Sequence, residues 1–270
     1  MSSFLRQFCI VCIALCTGTL AVAGPFEIAA SPSRFEISGK SGARVGQSLD
    51  IHNVGKLPTE VALRTLDWAY SADGNISYFD ELQPNSCRPW VTLERKAVIV
   101  NPNSKRVFRF QVDIPNDAPR GECRFMLAIE GVEPAYKALL ESGGASLSLP
   151  VNGRIAIAVY LSISGAESKL ALTQIGMRDI KGKRTPTVTV TNTGDSHGRL
   201  EGSLDAIDAK GVEFELIPEG TPVMPGQTRI LPLVVKTEAN KSAIEPTYPM
   251  KAKGIFDWEK GSFKVDVELR

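Results

Sequence analysis

The stretch Leu147-Ser148-Leu149-Pro150-Val151-Asn152-Gly153-Arg154-Ile155-Ala156-Ile157-Ala158-Val159-Tyr160-Leu161-Ser162-Ile163 places an apolar residue at almost every second position. A side-chain period of two puts Leu147, Leu149, Val151, Ile155, Ile157, Val159, Leu161 and Ile163 on one face of an extended segment. At ~3.3 Å per residue the run spans roughly 50 Å, whereas strands usually stop after about 10 residues. A stripe of this length is read as serving two purposes, one half inside its own domain and the other half offered to a partner. The alternative is that all eight residues are core.

The residues before this stripe say where the chain works. Arg6 precedes an apolar stretch from Phe8 to Cys16, and Ala21-Val22-Ala23 supplies small residues of the kind a signal peptidase reads. Residues 1–23 are therefore expected to be a secretory signal cleaved after Ala23, with Gly24 as the first mature residue. The stretch is interrupted at Thr17-Gly18-Thr19 and falls short of the ~20 apolar residues a spanning helix needs, so no stable membrane insertion is expected. Cys9, Cys12 and Cys16 leave with the signal, and Cys87 and Cys123 remain. Two cysteines in an exported chain favour one disulfide, the alternative being two buried thiols. Closing the loop of roughly 36 residues between them contributes about 3 to 4 kcal/mol in the chain-entropy account.

Lys and Arg number 31 against 30 Asp and Glu, and one of the 31, Arg6, lies in the signal, so the rest of the chain is balanced. Such a chain has no broad field to draw it to nucleic acid or anionic lipid, and its partners must be recognised locally. With 17 prolines and 23 glycines scattered as turn signals, an all-β class is expected.

An internal echo points to two domains of one kind. Leu49-Asp50-Ile51-His52-Asn53-Val54-Gly55 alternates and then turns at Asn-x-Gly, and Val188-Thr189-Val190-Thr191-Asn192-Thr193-Gly194 does the same. Val100-Asn101-Pro102 leads into Phe108, Phe110 and Val112; Val223-Met224-Pro225-Gly226 leads into Ile230 to Val235. Strand, Asn-x-Gly turn, strand, Pro-led turn and strand in matching order is what two β-sandwiches of one topology produce. The expected division is 24–164 and 165–270, the stripe ending at Gly165. Helix is scarce, and only Ala135 to Ser142 is read as a turn or two, inside a connection from Gly131 to Gly144.

Catalytic chemistry finds little support. The chain has no G-x-S-x-G elbow, S-x-x-K pair or Walker loop, and Gly39-Lys40-Ser41 lacks the upstream glycine of a P-loop. His52 and His197 are the only histidines and no cysteines are paired at C-x-x-C spacing, so neither a metal nor a cofactor is expected. Asp73-Gly74-Asn75 has Tyr78 where a calcium loop demands glycine and reads as a hairpin turn. His197 beside Asp195 and Ser196 reads as a solvated turn.

Taken together, Ser33-Arg34-Phe35, Asn53-Val54-Gly55, Trp90-Val91-Thr92-Leu93, Ile114-Pro115 with Arg120-Gly121-Glu122, and the closing stripe resemble the PapD-like superfamily of periplasmic pilus-assembly chaperones. The resemblance covers most of residues 25 to 163 and extends more weakly over the second half. It implies two immunoglobulin-like domains set at an angle and a strand lent to an incomplete fibre subunit. It places Leu147, Leu149 and Val151 in the subunit's groove, with Pro150 removing one backbone N–H from that ladder. It also implies an arginine and a lysine that grip the subunit's terminal carboxylate. Arg34 fits the arginine; Ala156 stands at the lysine's place, and Arg154, two residues earlier on the same face, is the substitute. The resemblance implies no enzyme activity, a periplasmic location, and fibre subunits and an outer-membrane usher as partners. The other reading is an exported structural or adhesive protein of the same fold.

Overall fold

The computed structural model describes residues 26–71, 74–84, 86–132, 136–142, 145–151, 153–237 and 244–270, with 136–142 and 145–151 described by backbone path and register alone. The expected signal, residues 1–23, lies outside them. The strands of the first half are β1 (Ile28–Ser31), β2 (Arg34–Gly39), β3 (Arg44–Asn53), β4 (Thr59–Tyr70), β5 (Ile76–Phe79), β6 (Val91–Leu93), β7 (Ala97–Val100), β8 (Ser104–Asp113), β9 (Gly121–Gly131), β10 (Tyr136–Ser142), β11 (Ala145–Val151) and β12 (Arg154–Ile163). Those of the second half are β13 (Leu170–Ile180), β14 (Lys183–Asn192), β15 (Glu201–Ile207), β16 (Glu213–Pro218), β17 (Thr228–Val235), β18 (Met250–Trp258) and β19 (Gly261–Leu269).

Two sandwiches in tandem result. In the first, the sheet β1-β3-β8-β6 packs on the sheet β2-β12-β9-β4, whose β4 carries both β5 and β7 at its far edge. In the second, seven strands run in the order β13-β14-β17-β16-β15-β18-β19, and the two end strands lie against each other around one core. The period-two patterns explain the layers: Phe108, Phe110 and Val112 of β8 are buried while Arg109, Gln111 and Asp113 between them are not. Ile157, Val159, Leu161 and Ile163 of β12 go into the same core. The chain changes sheets at Ser31-Pro32, so β1 pairs with β3 while β2 runs parallel to β12.

The two Asn-x-Gly turns have the same internal wiring. Asn53 Nδ2 donates to the carbonyls of Leu57 at 2.7 Å and Val100 at 3.0 Å, and Gly55 N donates to Asn53 Oδ1 at 2.9 Å. Asn192 Nδ2 donates to the carbonyls of Ser196 at 2.8 Å and Val223 at 2.9 Å, and Gly194 N donates to Asn192 Oδ1 at 2.9 Å. A Cβ at position 194 would collide with the backbone of Glu167 and Lys169, which is why glycine closes the second turn. In both sandwiches a buried amide ties this turn to the Pro-led turn, the physical content of the echo in sequence.

Cys87 and Cys123 form a disulfide with their Cα atoms 5.8 Å apart, joining the short 3-10 turn Arg88–Trp90 to β9. The long stripe falls into two strands, β11 ending at Val151 and β12 beginning at Arg154. One expectation is corrected. The turn of helix read from Ala135 to Ser142 is instead strand β10, paired antiparallel with β11 from Tyr136↔Val151 to Ser142↔Ala145. Pairing with an adjacent strand overrides the weak local helix preference of this segment. Among the described residues no helix is long and apolar enough to cross a membrane.

Candidate functional site: the cleft between the sandwiches

β12 is covered on both faces. Its inward side chains fill the first core, whereas Ala156, Ala158 and Tyr160 on the opposite face join a separate apolar cluster with Leu66, Trp68 and Tyr70 of β4 and Met126 of β9. Met224, from the second sandwich, is buried in the same cluster. Burying a side chain of that size stabilises the contact by about 2 kcal/mol. Trp68 meets Tyr160 edge to face at 5.7 Å, and the Arg124 guanidinium lies over the Trp68 ring at 5.3 Å.

Where this cluster opens to solvent there is a cleft of about 280 Å³. Ala156 and Ala158 form its floor, the Trp68, Tyr70 and Tyr78 rings one wall, and Arg199 with Gly220 to Pro222 of the second sandwich the other. Arg34 stands at its rim, at the β2 position paired with Ala158. Ile76 and Tyr78 on β5 are exposed there, so the cleft continues as an apolar surface to the sheet's far edge. The open side of β12 borders the same place: β2 pairs only with Ala158–Ile163, and among the described residues no strand pairs with Arg154–Ile157 on the side away from β9.

The charges around the cleft are shared among few groups. Glu36 Oε1 accepts from Arg34 Nε at 2.9 Å and lies 3.9 Å from Arg199 Nε; Glu36 Oε2 is 3.2 Å from His197 Nε2. Burial alone would raise the Glu36 carboxyl, but the His197 hydrogen bond and the neighbouring cations hold it below its ordinary range. Arg199 also donates to the Gly220 carbonyl at 2.7 Å and to the Tyr160 hydroxyl at 3.3 Å. Burial pushes the Tyr160 phenol up to about 12. Further along the junction, Arg120 Nε donates to Asp195 Oδ2 at 2.6 Å, and Gln227 Nε2 donates to the Tyr70 carbonyl at 2.7 Å.

The structure places the residues singled out in sequence differently from one another. Arg34 is in the cleft with a partially exposed guanidinium, and Ala156 is on its floor. Arg154 is not among the residues lining it: its Nε pairs with Glu130 Oε1 at 2.5 Å, in a network where Arg64 also holds Glu130. A cross-strand carboxylate on β9 thus holds the side chain that the resemblance offers in place of the lysine. Leu147, Leu149 and Val151 lie on β11, at the register positions facing Leu140, Ala138 and Tyr136 of β10. His197 is no solvated turn. Its side chain is 7% exposed and wedged between Glu36 and Glu122.

Trp68, Met126, Tyr160, Glu36 and Arg199 were not singled out as site residues. A signal for Met126 and Tyr160 is present: Met126-Leu127-Ala128-Ile129 and Ile155 to Leu161 are apolar at nearly every position, the mark of strands covered on both faces. Among the described residues no group of three or more His, Cys, Asp or Glu is placed to hold a metal ion.

No protein-family model matches the chain, and no curated protein does. Solved structures that it is similar to include the YadV chaperone, at 13% identity and a TM-score of 0.48 over 90% of this chain and 100% of that one. They also include the E. coli chaperone DraB, at 13% identity and a TM-score of 0.46 over 91% of this chain and 100% of that one. The Pseudomonas aeruginosa CupB2 chaperone is similar at 14% identity and a TM-score of 0.45, over 90% of this chain and 100% of that one.

Proposed function

We propose that this protein is a periplasmic, non-enzymatic chaperone that captures a secreted fibre subunit by β-strand addition and delivers it to an outer-membrane usher. The observation that carries the reading is the half-open edge of β12: from Arg154 to Ile157 its second side has no strand partner among the described residues, and the edge borders an apolar cleft with a cation at its rim. An unpaired edge is a template for another chain, and natural proteins protect such edges unless they are used. The sequence resemblance to pilus-assembly chaperones supplies the kind of chain that pairs there.

In this reading Leu147, Leu149 and Val151 of β11 enter the subunit's groove, and the β12 edge continues the ladder toward the cleft. The subunit's terminal carboxylate meets Arg34, whose fork geometry suits bidentate contact. Arg154, held by Glu130, takes no part in the anchor. Trp68, Tyr70 and Tyr78 with the alanine floor receive the apolar side chains near that terminus.

The test is co-expression with secreted fibre subunits, followed by purification from the periplasm. A soluble one-to-one complex that protects a subunit otherwise degraded is the expected result. A protein recovered alone, or built into surface fibres, would overturn the reading in favour of an exported structural protein of the same fold.

A further inference from the structure

His197 sits on the loop between β14 and β15, yet its imidazole projects into the first sandwich. Nδ1 is 2.5 Å from Glu122 Oε2 on β9, Nε2 is 3.2 Å from Glu36 Oε2 on β2, and the ring stacks on Tyr160 of β12 at 3.9 Å between centroids and 27° between planes. Both nitrogens thus face carboxylates. A neutral imidazole has one donor and one acceptor nitrogen and would turn a lone pair toward one of them; only the imidazolium donates to both.

The other groups around it leave the ring as the cation between these carboxylates. Glu122, whose side chain is 0% exposed, has Oε2 also accepting from Ser196 Oγ at 2.8 Å and from the His197 backbone N–H at 2.9 Å. Glu36 is shared with Arg34 and Arg199, the latter placed 5.7 Å from the Tyr160 ring centroid. On the same loop, Asp195 is engaged by Arg120 and by the Glu167 N–H. Ser162 of β12 meets Ser196 at 3.1 Å.

We propose that the His197 imidazolium is a pH-released clasp that holds the two sandwiches in one relative orientation, by joining a loop of the second to Glu36 and Glu122 of the first. The inference is independent of the client reading, since it concerns the domain junction in the unliganded protein. Burial by itself pushes the ring's pKa down, but the bonds to Glu122 and Glu36 outweigh it and hold the value above the ordinary one. The sign follows. With a folded value above the unfolded ~6.5, the clasp is complete below about pH 6.5 and is lost as the pH rises through the folded value. A neutral ring leaves Glu122 buried without its charged partner, and the junction loosens.

The experiment uses the full chain with one spin label on an exposed strand position of each sandwich, and reads the inter-label distance distribution at about pH 6 and about pH 9, on either side of the ordinary histidine range. Imidazole 15N shifts are followed in parallel, the His197 signal being assigned by its loss in His197→Gln. The expected result is a single narrow distribution at the lower pH that broadens at the higher one as the His197 ring loses a proton, while His197→Gln is broad at both. Glu122→Gln, which retains a hydrogen-bonding side chain and removes the charge, should move the broadening to lower pH and serves if His197→Gln does not fold. An unchanged distribution across the pH range, or a His197→Gln protein that keeps the wild-type pH response, would overturn the proposal.

Discussion

Asn192 donates from Nδ2 to the carbonyl of Val223 at 2.9 Å, just as Asn53 donates to that of Val100 at 3.0 Å across the equivalent turn of the first sandwich. Asn192 is fully buried and also accepts from the N–H groups of Lys169 and Gly194. Replacing it with alanine removes a partner from four backbone groups, of which the Val223 carbonyl keeps the Gly198 N–H at 3.1 Å. At about 1 to 3 kcal/mol for a buried polar group left without its partner, and with some of these groups reaching water after relaxation, Asn192→Ala should cost about 3 to 5 kcal/mol. The denaturant midpoint of the second sandwich measures it. A loss under about 1 kcal/mol would show that the turn holds without its amide.

The disulfide gives the second expectation. Cys87 is fully buried and Cys123 nearly so, and the bridge closes a loop over a sequence separation of 36. Replacing both with alanine should lower stability by about 2 to 5 kcal/mol, with the loss confined to the first sandwich. Chemical denaturation monitored separately for each sandwich tests the magnitude and the location, and non-reducing peptide mapping tests the pairing. Two free thiols in protein purified without reductant would contradict it.

Asp208 gives a prediction on acidity. It accepts from the Thr247 hydroxyl at 2.7 Å and from the backbone N–H groups of Val212, Thr247 and Lys210, which hold its carboxyl well down, to about 2. Because the folded value lies below the unfolded ~3.8, its stabilisation is present above that pH and disappears as the pH falls toward the folded value. Carboxyl 13C shifts in an acid titration should show Asp208 still ionised at about pH 3, below the ordinary aspartate range. Asp208→Asn should abolish the corresponding part of the acid-dependent loss in stability.

Sequence patterns carried the fold because its determinants are local in the chain. Period two in β8 and β12, the Asn-x-Gly turns at Asn53 and Asn192, and the two cysteines outside the expected signal each name their own structural role before any partner is known. The site was less legible because its geometry depends on which residues meet across paired strands and across the junction. Arg154 meets Glu130, a neighbour set by the β9–β12 register. His197 looks like a turn residue until β2 and β9 bring Glu36 and Glu122 to either side of it. The segment from Tyr136 to Ser142 acquires its strand identity only from β11.

Leu149 separates the two uses of the opening stripe. If it enters a client's groove, Leu149→Glu should abolish client capture while the melting temperature of the free protein stays within a degree or so, since exposed substitutions usually cost within about 0.5 kcal/mol. Thermal denaturation and co-purification on the same variant decide it. A marked fall in melting temperature with capture intact would make β11 part of this protein's own core.

The anchor gives the sharpest comparison, because Arg34 lines the cleft and Arg154 does not. Truncating one partner of a partly buried, charge-assisted pair typically costs about 2 to 5 kcal/mol, so Arg34→Ala should weaken client binding by at least about tenfold. Arg154→Ala should leave binding unchanged and cost less than about 1 kcal/mol of stability, its partner Glu130 being retained by Arg64. Ala156→Lys places a second cation on the cleft floor, two residues along β12 from the position paired with Arg34. Its stem can lie along the apolar wall with the ammonium toward solvent. If the cleft receives a terminal carboxylate, that variant should bind a client at least as tightly as the wild type in a titration at low salt, with the gain disappearing at high salt. If Arg34→Ala has no effect and Ala156→Lys abolishes binding, the alanine floor is instead an apolar pocket that excludes charge, and clients are held there by their side chains alone.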